Sequence, residues 1–113
     1  MHELGIVYQI VKVVDQFAKQ NEVTEVAKIV LEIGQLSGAI PKFIEECYPA
    51  AVDGTPYEAA KLEIITLPAN GKCNTCGHIF NIVDNRRICP ECESQDYEMI
   101  SGREFNIKEI VAY

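Results

Sequence analysis

The sequence predicts an α+β fold in which two helices pack on a three-stranded sheet and a four-cysteine, zinc-ribbon-like module is inserted before the last strand. Three observations indicate this class: a helical apolar periodicity near the start, three segments with strand-like apolar patterns, and two C-x-x-C pairs. The 113 residues, 48% hydrophobic and 24% charged, are typical of one globular domain, or of one domain with a small appendage. No stretch approaches the roughly 20 apolar residues of a membrane helix, so no membrane partner is expected.

The first predicted element is a helix from Leu4 to Lys19. Its apolar residues recur at spacings of three and four, with polar residues on the other side, which is typical of an amphipathic helix. The stripe expected to be buried contains Val7, Ile10, Val11, Val14, Phe17 and Ala18.

A second helix is predicted from Pro41, because proline suits the first helical turn. Its expected apolar face contains Ile40, Phe43, Ile44, Cys47, Tyr48 and Ala51. Pro49 conflicts with this pattern, since a proline inside a helix removes a hydrogen bond and costs about 3 kcal/mol. We therefore expect the helix to be kinked at Pro49 or to end near Tyr48.

Strands are predicted at residues 25–33, 61–67 and 104–111, where apolar positions alternate or cluster. We expect residues 1–69 together with 98–113 to form one domain and residues 70–97 to form the metal module. A module of that size buries little apolar surface, so metal binding would supply its folding free energy.

Two C-x-x-C pairs, Cys73/Cys76 and Cys89/Cys92, lie twelve residues apart. This spacing lets two tight turns direct four thiolates at one ion, and a tetrahedral set of four sulfurs is typical of structural zinc. Gly77 follows the first pair and Pro90 lies inside the second, as turns require.

Other uses of these cysteines remain open. Two disulfides would suit a secreted protein, but the first residues have neither a basic region nor a small-residue cleavage site, so a cytoplasmic protein is expected. A redox C-x-x-C would explain one pair and not both. Spacing does not separate four-sulfur zinc from four-sulfur iron, so a rubredoxin-like electron carrier stays an alternative.

Charge argues against nucleic acid as a partner. The net charge is −7 at pH 7, and between residues 71 and 100 five acidic residues oppose only three basic ones, Lys72, Arg86 and Arg87. The two arginines are expected in a solvated turn at the tip of a hairpin, where a partner could contact them. No phosphate loop or nucleophile–base pair is evident, so the chain is expected to be no enzyme. A zinc-ribbon adaptor that binds protein or nucleic acid, and has no function with any second metal such as nickel, is a further alternative.

The first three residues form a second candidate metal site. The Met1 amine, the His2 imidazole and the intervening amides are the nitrogen donors that Ni(II) and Cu(II) favour. A surface histidine beside the first methionine usually has no such role, and Glu3 is often only a favourable charge at a helix start. His78, the other histidine, could ligate the zinc or couple the two sites, although a local hydrogen bond is the commoner role.

Several motifs together resemble the HypA/HybF family of nickel-insertion proteins for [NiFe]-hydrogenase maturation. They are Met1-His2-Glu3-Leu4, Ile33-Gly34, the two C-x-x-C pairs and Gly102-Arg103-Glu104. The resemblance implies that His2 ligates nickel with help from the Met1 amine and the amides of His2 and Glu3, and that the four cysteines hold zinc. It also implies a HypB-type GTPase and a hydrogenase large-subunit precursor as partners. Gly5, Cys47 and Pro49 depart from the family pattern but touch no proposed ligand.

Overall fold

The computed structural model describes residues 3–113 and has the predicted α+β class. Met1 and His2 lie outside the described residues. The elements in chain order are α1 (Glu3–Gln20), β1 (Val26–Gly34), α2 (Pro41–Val52), β2 (Lys61–Leu67), β3 (Asn70–Cys73), β4 (Ile79–Asn81), β5 (Tyr97–Met99) and β6 (Phe105–Ala112). Across the described residues, neither helix is long and apolar enough to cross a bilayer.

The main sheet has the strand order β2-β1-β6. β1 and β6 run antiparallel: the Gly34 N–H donates to the Glu104 carbonyl at one end (2.7 Å), and the Tyr113 N–H donates to the Glu25 carbonyl at the other (3.2 Å). β1 and β2 run parallel. The evidence is that the Gln35 N–H, just after the end of β1, donates a hydrogen bond to the carbonyl of Leu67, the last residue of β2 (2.9 Å). Parallel neighbours need a crossover connection, and α2 supplies it.

The buried stripe of α1 is narrower than the sequence predicts. Val7, Ile10, Val11, Val14 and Ala18 are buried as expected. Phe17 is 39% exposed, so its assignment to the core was wrong. It lies at the edge of the stripe and lines a shallow groove with Val13 and Ile107, where the helix passes the edge strand β6.

α2 continues through Pro49 to Val52, so of the two alternatives stated for Pro49 the one in which the helix ends near Tyr48 is wrong. The Asp53 N–H still donates to the Pro49 carbonyl (3.1 Å), and the Tyr48 hydroxyl donates to the Ala60 carbonyl from a buried position (2.9 Å). Burial of the residues around the proline therefore offsets the missing hydrogen bond. The buried residues of α2 are Ile44, Tyr48, Ala51 and Val52, whereas Ile40 and Phe43 are exposed, contrary to the prediction.

The chain divides into two compact units: Met1–Glu32, Ala39–Ile65 and Asn106–Tyr113 in the first, and Ile33–Gly38 with Thr66–Phe105 in the second. The second unit has its own antiparallel sheet of order β4-β3-β5. Its core contains Cys73, Phe80, Ile82 and Cys89, with Leu36, Tyr97 and Met99 packed against them. The sequence did not predict this small sheet, since its strands have only three or four residues.

The short stretch Ile33–Gly38 is held in the second unit by polar contacts. The Gln35 side-chain oxygen accepts hydrogen bonds from the Ala69 N–H (3.0 Å) and from the Asn81 amide (3.2 Å). The Leu36 N–H donates to the Gly102 carbonyl (2.7 Å). Residues 33–38, which are distant in sequence from the cysteines, are thus part of the same compact unit as the cysteines.

Candidate metal centre

The four cysteines meet at one point of the second unit. Cys73 ends β3, Cys76 lies in the turn that follows, and Cys89 and Cys92 lie in a second turn before β5. Their Sγ atoms all lie within 4.8 Å of one another, with 3.5 Å between Cys73 and Cys92 and 3.6 Å between Cys76 and Cys89. These separations are too long for disulfides, whose sulfurs lie about 2.05 Å apart. They are close to the roughly 3.8 Å edges of a tetrahedron with metal–sulfur bonds of about 2.3 Å.

The first turn presents its sulfurs through backbone hydrogen bonds. The Gly77 N–H donates to the Cys73 carbonyl (2.9 Å), and the Cys73 N–H donates to the His78 carbonyl (2.9 Å). Gly77 has a φ of +80°, a left-handed conformation that glycine adopts without steric cost. The glycine after the first pair therefore has the turn role that the sequence predicts.

The second turn repeats the same hydrogen bonds with different residues. The Glu93 N–H donates to the Cys89 carbonyl (2.8 Å), and the Cys89 N–H donates to the Ser94 carbonyl (2.9 Å). Glu93 takes the place of the glycine, with a φ of +61°. A non-glycine residue pays about 1–2 kcal/mol for this conformation, so other interactions must hold the turn in place.

Polar side chains join the two turns to each other. The Thr75 hydroxyl donates to the Ser94 hydroxyl (3.0 Å), and the Asn74 side-chain amide donates to the Asp96 carboxylate (3.0 Å). The Asn74 N–H also donates to the Asp96 carbonyl (2.9 Å). Sequence reasoning missed these residues. The only signal was the polar character of the positions between and after the cysteines.

Cys73 and Cys92 differ in pKa because of their surroundings. The Cys76 and Thr75 backbone N–H groups point at the Cys73 sulfur and lower the pKa of Cys73 to about 6. The Ser94 N–H lowers the pKa of Cys92, but desolvation and the neighbouring thiols outweigh it and raise that pKa to about 12. One thiolate therefore forms readily, and holding four of them together requires positive charge among them, which a divalent ion supplies.

Burial separates the cysteines into two kinds. Cys73 and Cys89 are buried, whereas Cys76 and Cys92 are exposed. One side of the site rests on the apolar core of the unit, and the other faces solvent. An ion here would be held by two buried cysteines on one side, and a chelator could reach it from the side of the two exposed cysteines.

The remaining predicted site residues lie elsewhere. Met1 and His2 are outside the described residues, and Glu3 is a half-buried residue in the first turn of α1. The His78 side chain is exposed and does not join the metal-ligating group, which among residues 3–113 consists of the four cysteines alone. Cys47 is a half-buried residue of α2.

A small α+β protein with a four-cysteine metal-binding group is the class that the fold and site define. Two solved structures share the fold over nearly the whole chain. One is titled the solution structure of the Ni metallochaperone HypA from Helicobacter pylori (TM-score 0.67, 20% identity, 99% of this chain and 97% of that chain). The other is titled the solution structure of HypA protein (TM-score 0.71, 22% identity, 100% and 97%).

The chain belongs to the family described as "HypA: Hydrogenase/urease nickel incorporation, metallochaperone, hypA", whose model matches residues 1–112. Hydrogenase maturation factor HypA of Trichodesmium erythraeum is 39% identical over 110 residues, covering 97% of this chain and 94% of that protein. The Chlorobium limicola protein of the same name is 37% identical, covering 97% and 95%. This confirms the family resemblance and the expectation of a metallochaperone rather than an enzyme.

Proposed function

We propose that this chain binds Ni(II) at its N-terminus and delivers it to a [NiFe]-hydrogenase large-subunit precursor during maturation. Membership of a nickel-incorporation family supports the cargo, and the relatives named as hydrogenase maturation factors support the recipient. A HypB-type GTPase is the proposed partner in delivery. Cysteines that hold a metal instead of forming disulfides fit a reducing compartment, so the cytoplasm is the proposed location.

The proposed nickel ligands are the Met1 amine, the His2 imidazole and the backbone amides of His2 and Glu3. Amine, imidazole and deprotonated amide nitrogens form the planar set that Ni(II) favours. Nickel is cargo, so the ligands must release it to a recipient. The Glu3 carboxylate lies in the first turn of α1, where the positive end of the helix dipole stabilises it. We propose that it adjusts the nickel affinity of the site or contacts a partner.

The proposed occupant of the cysteine site is structural Zn²⁺, held by Cys73, Cys76, Cys89 and Cys92. The sulfur separations fit the tetrahedral geometry of zinc, and two cysteines of the four are built into the core of the unit. The visible spectrum of the isolated protein separates zinc from iron, since a four-sulfur iron site absorbs visible light and a zinc site is colourless. A coloured protein would replace this proposal with an electron carrier.

Each of the two proposed metal sites is assigned to its own domain. We propose that residues 1–69 together with 98–113 form the nickel-binding domain and that residues 70–97 form the zinc-binding domain. In this view zinc serves the folding of its own segment and leaves the amino-terminal ligands free for cargo.

Replacing His2 by alanine is expected to weaken nickel binding about tenfold or more, because ligand loss should exceed the 10–100-fold cost of losing a residue that only supports a ligand. Extra residues before Met1 should have a similar effect, since they remove the free amine. Calorimetric titration of nickel into zinc-loaded protein with its native N-terminus measures both effects. His78→Ala is the matched control, because His78 is the only other histidine in the chain and lies outside the cysteine group. Equal nickel affinity in all four proteins would favour the zinc-ribbon adaptor.

Nickel affinity is expected to fall as the pH is lowered from about 8 to about 6, because nickel must displace protons from an amine with a pKa of about 7.7–8.0 and an imidazole with a pKa of about 6.5. At lower pH more of these nitrogens carry protons, so each binding event releases more protons at a greater free-energy cost. The same titration repeated in several buffers across this range checks it. An affinity that stays constant would contradict the proposed ligand set.

A further inference from the structure

Four polar side chains, none of them a cysteine, line a small cavity on the second unit. The cavity has a volume of about 310 Å³ and is lined by Arg86, Arg87, Gln95 and Tyr97. We refer to these four residues as the arginine notch. It gathers two positive charges in a segment that is otherwise mostly acidic.

The two arginines are the central residues of a tight turn. The Ile88 N–H donates to the Asn85 carbonyl (3.0 Å), and both Arg86 (φ +53°) and Arg87 (φ +66°) are left-handed. Positive φ at both central positions is the mark of a type I′ turn, for which asparagine and glycine are the favoured residues. Two arginines therefore occupy positions that the backbone alone would give to other residues.

The turn and the wall opposite it are held in place. The Arg87 N–H donates to the Ile82 carbonyl (2.8 Å), and the Arg87 guanidinium donates to the Tyr97 hydroxyl oxygen (3.2 Å). The Tyr97 ring packs edge-on against the buried Phe80, with ring centroids 5.7 Å apart. The notch is thus attached to the same apolar core that carries two of the cysteines.

The arginine notch has hydrogen-bond donors, but no negatively charged side chain in the described part of the chain forms an ion pair with its arginines. Neither arginine forms an ion pair within residues 3–113. Because the Tyr97 oxygen accepts from Arg87, its own hydrogen can be directed elsewhere, and the Gln95 amide adds a further donor. Paired guanidiniums with neutral donors beside them are the groups that recognise oxyanions through charge-assisted hydrogen bonds.

We propose that the arginine notch is a binding site for an oxyanion. The two sources with this chemistry are a carboxylate of an acidic peptide segment on a partner protein and a free inorganic phosphate. The net charge of −7 repels either one at long range, so binding would depend on short-range contacts inside the notch. This site shares no residue with the cysteine group or with the proposed nickel ligands, and it does not depend on the nickel proposal.

The test is an NMR titration of the metal-loaded full chain with inorganic phosphate in one arm and an acetylated, amidated peptide with two adjacent glutamates in the other. A peptide with glutamines in their place is the ligand control. We expect saturable shifts at the Arg86 and Arg87 backbone amides and at the Gln95 side chain, weakening as salt is added. The arm that saturates at the lower concentration identifies the source.

The decisive variant is the double substitution Arg86→Asn with Arg87→Gly. It removes both charges and gives the turn its favoured residues, so we expect the fold to be retained and the melting temperature to be unchanged or higher. We expect the saturable shifts at Gln95 to disappear in this variant. Lys72→Gln, which removes an exposed charge elsewhere in the segment, should keep the affinity within about twofold, as expected of a surface charge outside the site.

Three results would overturn the proposal: no saturation with either ligand, equal binding by the double variant, or an equal loss in Lys72→Gln, which would indicate diffuse charge alone. If the double variant loses the signal dispersion of the folded segment, Tyr97→Phe replaces it as the test. That change removes one hydroxyl and keeps the ring contact with Phe80. Unaltered affinity in Tyr97→Phe would then count against the notch.

Discussion

Replacing Cys89 by alanine is expected to unfold the segment of residues 70–97 while nickel binding at the proposed N-terminal site is retained. Cys89 is fully buried, and its sulfur lies 3.6 Å from that of Cys76, so the change removes both a ligand and a core residue. Structural zinc supplies about 10–16 kcal/mol of apparent binding free energy in small zinc-finger peptides. The short strands around the site have no comparable source of stability.

Amide NMR signals, read together with a nickel titration, check this expectation. Signals of residues 70–97 should collapse toward unfolded positions, and one equivalent of nickel should still bind. Cys47→Ala is the matched control, because Cys47 lies on α2 outside the cysteine group and should leave both measurements unaltered. Parallel loss of nickel binding in Cys89→Ala would mean that the cysteine segment helps to build the proposed nickel site.

The second large effect is expected from Gly34→Ala. A Cβ at Gly34 would lie 2.2 Å from the carbonyl oxygen of Gly102 and 2.7 Å from the backbone nitrogen of Arg103. Backbone atoms cannot move aside as a flexible side chain can. The two segments are also joined at this place by the hydrogen bond from the Gly34 N–H to the Glu104 carbonyl. We expect a loss of about 3 kcal/mol or more in the free energy of unfolding, at the upper end of overpacking effects.

Urea unfolding of the metal-loaded protein measures this loss. Gly5→Ala is the matched control, since it adds the same methyl group within α1 and its Cβ meets nothing within 4 Å. That change should stabilise the helix by about 0.5–1 kcal/mol. Equal stability of Gly34→Ala and the wild-type protein would show that the chain relaxes at this crossing at little cost.

The helices and the long strands could be predicted because their apolar patterns are local and regular. α1 differs from its predicted bounds by one residue at each end, and β2 matches at both. The errors concern how the elements pack. The exposure of Phe17 and Phe43 depends on which neighbours cover a helix face, and periodicity does not report that. At Pro49 the sequence left two outcomes open, a kinked helix or an end near Tyr48, because the local proline penalty does not report the tertiary packing that carries the helix on to Val52.

The cysteine site could be foreseen as a cluster because C-x-x-C spacing is short-range geometry. Its surroundings could not be foreseen. Gln35 contacts Ala69 and Asn81 from more than thirty positions away, and no local pattern marks that side chain. Glu93 occupies the position that Gly77 has in the first turn. The two turns therefore share the same hydrogen bonds, although their amino-acid sequences do not show the similarity.

The attachment of Gln35 and Leu36 has a practical consequence for anyone who wishes to excise the cysteine segment. A synthetic peptide cut at residues 70 and 97 would keep the four thiols of the cysteine group. It would leave behind Leu36, which packs against the apolar core, and Gln35, whose side-chain oxygen accepts a hydrogen bond from Asn81. Its uncovered flank would invite self-association. A fragment meant for transfer to another protein should therefore also include the Ile33–Gly38 stretch, joined through a linker, so that Leu36 still covers the apolar core.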